Sequence, residues 1–82
     1  MGLRKLAEKL ADYQERLEAG KARTIEPAHV EKVLDKLRRK EADLLSRIAA
    51  ETDEEERADL DRKLGVTREH ISRAEWLLAE LS

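Results

Sequence analysis

The sequence has no cysteine and no phenylalanine, and its 82 residues include one tryptophan, one tyrosine, one proline and three glycines. Without cysteine there is no disulfide framework, redox-active thiol or thiolate metal site, which fits a reducing compartment. With aromatic residues at 2%, the chain lacks the material that usually lines a substrate pocket. So little proline and glycine leaves long, unbroken helices open to it. No apolar run approaches the ~18 residues that mark a membrane span. The N-terminus alternates Lys, Leu and Glu instead of showing a signal-peptide core. A cytoplasmic protein without a membrane partner is expected. Charge of one sign is missing too: 17 Lys and Arg oppose 19 Asp and Glu, a net charge of −2. That balance gives no bulk attraction to nucleic acid or to an anionic membrane.

What is present is charge and aliphatic bulk in register. Charged residues make up 44% of the chain, and 13 Leu, three Ile and three Val recur at regular spacing. Such a composition with a period near 3.5 signals long helices or a coiled coil, and the regularity argues against disorder. The length fits a single domain, residues 1–82. A core this small is marginal for a monomer, which favours self-association or an unidentified protein partner.

Residues 52–81 organise the rest. Leu60, Leu64, Thr67, Ile71, Ala74, Leu78 and Leu81 follow one another at steps of four and three, the spacing that keeps side chains on one helical stripe. A helix of that length is unstable alone in water, so its stripe must lie against the preceding chain.

Earlier in the chain, Leu3, Leu6, Leu10, Tyr13 and Leu17 repeat the same steps, giving a helix over about 3–19 that Gly20 ends in the αL conformation. Ile25 is the one large apolar residue of the connection and is expected to fold back onto the bundle. Pro27 suits the first turn of a second helix, about 27–50, and holds Glu26 extended. Its apolar arc contains Val30, Val33, Leu34, Leu37, Leu44, Leu45 and Ile48, wide enough for two neighbours. Glu41 falls near the middle of that arc and should pack its stem while the carboxylate reaches water or a cation. Thr52 with Glu55, or Asp53 with Glu56, makes a capping box that starts the third helix, about 53–81, and the clustered carboxylates suit its dipole. Asp35–Arg39, Asp43–Arg47, Asp59–Lys63 and Glu69–Arg73 are i, i+4 pairs in the favourable order. The expected fold is all-α: an antiparallel up-down-up arrangement of three helices dominated by a long coiled-coil-like hairpin. Leu17 should lie near Val30 and Leu3 near Leu44.

Within the third helix, Leu64-Gly65-Val66-Thr67-Arg68-Glu69-His70-Ile71-Ser72-Arg73 resembles the turn and recognition helix of a DNA-binding helix-turn-helix. The resemblance implies Gly65 in the αL turn, Val66 in a small core and Thr67 capping the second helix. It further implies that Thr67, Arg68, Ser72 and Arg73 face the major groove and phosphates. The match spans about 15 residues. It departs from the family at Asp61, where the family usually has Ala, and in an acidic first helix (Glu54, Glu55, Glu56, Asp59, Asp61) that repels phosphate. The unbroken apolar seam favours a straight helix instead.

No arrangement of catalytic residues can be identified, and no cofactor is expected. Glu26-Pro27-Ala28-His29 has the Glu-x-x-His spacing of di-iron bundles, but in a single copy where a working site needs two. Lys36, Arg38, Arg39 and Lys40 form a basic cluster that reads as a solvated face, offset by the hairpin partner's carboxylates. On a straight third helix, Ala58, Gly65, Ser72 and Ala79 recur every seven residues on the side opposite the seam, with Trp76 beside them. Small residues at that spacing let another helix approach, and a tryptophan can anchor it. These five residues are the candidate protein interface of a non-enzymatic interaction module, self-associating or holding another protein. The alternative is a small DNA-binding regulator using the Gly65–Thr67 turn.

Overall fold

The computed structural model describes residues 2–82 as three α-helices. Helix α1 spans Leu3–Glu18, α2 spans Pro27–Ala50 and α3 spans Glu54–Leu81, with a 3-10 turn at Ala22–Thr24 between the first two. The fold is the expected all-α, antiparallel three-helix arrangement in which α2 and α3 form a dominant hairpin. The molecule is elongated, 47 × 20 × 18 Å.

Local sequence signals set the ends. Gly20 has φ +75° and its N–H reaches the Leu17 carbonyl at 3.1 Å. This left-handed residue releases the chain from α1. Pro27 opens α2 behind an extended Glu26 (φ −83°, ψ 117°). Asp53 caps α3 by accepting a hydrogen bond from the Glu55 N–H at 2.9 Å. The reciprocal half of the expected capping box comes from a different residue. Glu51, not Glu56, reaches the Asp53 N–H, at 3.1 Å, and also accepts from Thr52. Three carboxylates then occupy the first turn of α3, where the helix dipole favours them.

Packing divides the hairpin in two. Near its open end α1 joins it, and Leu6, Leu10, Ile25, Val30, Val33, Leu34, Leu37, Ala74 and Leu77 form one buried cluster. Leu17 packs on this cluster, to which Val30 belongs. Leu3 packs on it as well, whereas Leu44 belongs to the second cluster. That second cluster, near the hairpin turn, holds only Leu44, Leu60 and Leu64, with Ile48 against them. There α2 touches α3 alone, so the two-neighbour arc narrows to one stripe, and Leu45 is 44% exposed. Glu41 is paired by Arg68 of α3 at 2.9 Å, its side chain partly covered. The pairs Asp35–Arg39, Asp43–Arg47 and Asp59–Lys63 form, at 3.0, 3.1 and 3.6 Å. Such surface pairs contribute only tenths of a kcal/mol each.

Helix α3 runs straight through Gly65, which has no positive φ. Its seam is the expected one from Leu60 to Ala74, with one change beyond. Leu77 is fully buried, and Leu78 is only partly so. An α-helix drifts ~20° per heptad against a 3.5-residue repeat. By the last turns that drift, with α1 seated on one flank of α3, carries Leu77 inward.

A methyl group at Gly65 would meet nothing within 4 Å. Gly65→Ala should therefore raise stability by up to about 1 kcal/mol, since the glycine sits in an exposed helix interior. Gly20→Ala should lower it by a similar amount because alanine resists positive φ. Urea melts of both variants test this pair of opposite signs.

Candidate functional site

The five interface candidates follow from α3 being one rod. At 100° per residue, Ala58, Gly65, Ser72, Trp76 and Ala79 fall within roughly 60° of arc opposite Thr67. All five are exposed, Trp76 at 45%. Tryptophan carries more apolar surface than any other side chain here, and leaving nearly half of it in water is unfavourable. Beside it a shallow groove of about 580 Å³ runs between α1 and α3, lined by Gln14, Glu69, Ser72, Arg73 and Trp76. Glu69 and Arg73, an expected i, i+4 pair, form no ion pair among the described residues, and both side chains border this groove. The site therefore combines an aromatic plate, small neighbours and one uncommitted charge of each sign.

The structure does not assemble the other constellation. The turn at Gly65–Thr67 on which DNA recognition depends is absent, because α3 continues through it. Val66, expected inside the angle, is 41% exposed. Thr67, expected at the major groove, is fully buried, and its hydroxyl donates to the Lys63 carbonyl at 2.8 Å. Arg68 is held by Glu41. Only Ser72 and Arg73 of the four candidate DNA contacts are free on the surface, and both belong to the groove beside Trp76. The physical reason is the seam itself: bending at Gly65 would remove Thr67, Ile71 and Ala74 from the stripe that α2 covers.

No family model, curated protein or solved structure matches the chain.

Among the described residues no group of three or more His, Asp or Glu side chains is placed to hold a metal ion. Glu26 and His29 are both exposed at the start of α2. No described helix is long and apolar enough to cross a membrane. The basic cluster on α2 is partly committed, Arg38 to Glu75 at 3.4 Å and Arg39 to Asp35. Sequence reasoning missed one feature near it. Lys9 and Tyr13 of α1 share a second groove with His29, Lys32, Val33 and Lys36 of α2. No spacing along either helix alone reveals this, because the groove exists only where the two pack.

Proposed function

We propose that the protein is a non-enzymatic helical interaction module that pairs with a second copy of itself through the outer face of α3. The observation that carries the reading is Trp76, 45% exposed on a continuous helix, with Ser72 and Ala79 one turn to either side small enough to admit a partner. A two-fold interface must be self-complementary. Gly65 and Ala79 lie seven residues either side of Ser72. An antiparallel copy of α3 with its axis at Ser72 would thus set Gly65 against Ala79 twice, and close approach is open at all three levels. Trp76 of each copy would then lie near the axis, covered by the partner helix. The thin two-helix half of the fold, with its small second cluster, supports the same conclusion, since small cores gain most from association.

Sedimentation at several concentrations, with and without Trp76→Ala, tests the reading. The wild type should shift from monomer to dimer as concentration rises. Truncating a central tryptophan at such an interface removes about 2 kcal/mol or more, so the variant should need roughly thirtyfold more protein to dimerise. A monomer at every concentration, or a variant that pairs as well as the parent, overturns self-association through this face.

A further inference from the structure

The groove between α1 and α2 lies on different residues from the α3 face. It has a volume of about 220 Å³ and is lined by Lys9, Tyr13, His29, Lys32, Val33 and Lys36. Val33 is its buried floor, and not one carboxylate lines it, in a chain with more acidic than basic residues. Three acids close to it in sequence are engaged elsewhere. Asp12 is held by Arg16 at 2.8 Å, Asp35 by Arg39 at 3.0 Å, and Glu8 pairs with Arg4 at 3.6 Å. Lys9 and Lys32 enter no ion pair among the described residues. A second hollow, of about 310 Å³, adjoins at Lys36 and adds Lys40, together with Arg39, which Asp35 already pairs. Its one acid, Asp43, is held by Arg47. Meanwhile Glu54, Glu55 and Glu56 gather in the first turn of α3, at the hairpin turn. The small net charge therefore conceals a segregated one.

We propose that this groove binds a compact, soluble oligophosphate or a small ester carrying at least two phosphoryl groups. Lys9 and Lys32 face one groove that no carboxylate lines, and an anion of several charges can pair with both in one event. Lysine binds phosphate as a point charge, and Tyr13 and His29, which also line the groove, carry a hydroxyl and a ring N–H able to donate to phosphate oxygens. The groove is smaller than the roughly 300–1,000 Å³ typical of drug-sized ligands, which selects a small, densely charged group over a bulky one. A single carboxylate would neutralise only one of the lysines.

Titration with inorganic tripolyphosphate, followed by amide NMR at fixed ionic strength, tests the site. Saturable shifts should centre on residues 9, 13, 29, 32, 33 and 36. The double variant Lys9→Gln/Lys32→Gln should bind at least tenfold more weakly, since each substitution removes a charge-assisted contact. Both positions are surface positions on helices, and an unchanged amide spectrum without ligand verifies that the variant folds. Lys63→Gln/Arg57→Gln, on α3, should leave the affinity unchanged. Shifts spread over every surface cation, or equal affinity in both double variants, overturn the proposal. Binding only to anionic lipid vesicles or duplex DNA, with none to free tripolyphosphate, overturns it as well. A monomeric protein that still binds tripolyphosphate here would sink the pairing of α3 and leave the groove standing.

Discussion

Leu37→Ala should lower the thermal midpoint by about 12–24 °C. Leu37 is fully buried in the cluster to which all three helices contribute. Removing three carbons there loses their transfer free energy and leaves a cavity, and α2 cannot close it because Val33 and Leu34 already lock the helix in place. Such truncations destabilise by about 3 kcal/mol. Each kcal/mol shifts the midpoint of a domain this size by ~4–8 °C. Against a total of ~5–15 kcal/mol for globular proteins, with small domains at the low end, that is a large fraction of the whole. A midpoint lowered by less than 5 °C would mean the three helices do not share one core at Leu37.

Leu77→Ala and Leu78→Ala should differ sharply, though the two residues are chemically identical neighbours. Leu77 is fully buried, whereas Leu78 is partly exposed beside a hollow between the start of α2 and the end of α3. The first substitution should destabilise by about 3 kcal/mol and the second by about 1 kcal/mol. Chemical denaturation of the two variants reads the difference directly. Equal losses, or a greater loss at Leu78, would show that the heptad stripe continues unrotated to the end of α3.

These two neighbours also mark where the sequence stops being readable. Steps of four and three from Leu60 to Ala74 place that stretch of α3 on its stripe, and Gly20, Pro27 and Asp53 announce three of the helix boundaries. All of these are local signals, decided by one helix and its own backbone. The exchange of Leu78 for Leu77 depends instead on where α1 sits, as does the exposure of Leu45, which lies in a half of the hairpin that α1 does not cover. Thr67 shows the same limit from the other side. Its hydroxyl is compatible with a helix cap, a DNA contact or burial, and only a straight α3 selects burial with the bond returned to Lys63. The outer-face candidates were legible because they need nothing beyond helical phase. The lysine groove was not, because Lys9 and Lys32 are distant in sequence and each looks like an ordinary solvated charge.

The proposed pairing through the outer face of α3 depends on α3 being one rod across Gly65. The absence of cysteine allows spin labels to be placed at two chosen positions and nowhere else. With Arg57→Cys and Glu80→Cys, both exposed on α3, and labelled protein diluted in unlabelled, electron–electron resonance measures the span across the glycine. Twenty-three residues at ~1.5 Å each should separate the two backbones by about 35 Å with a narrow distribution. A right-angled turn at Gly65 would bring them to roughly 25 Å on the same rise per residue, and that shorter distance would contradict the account.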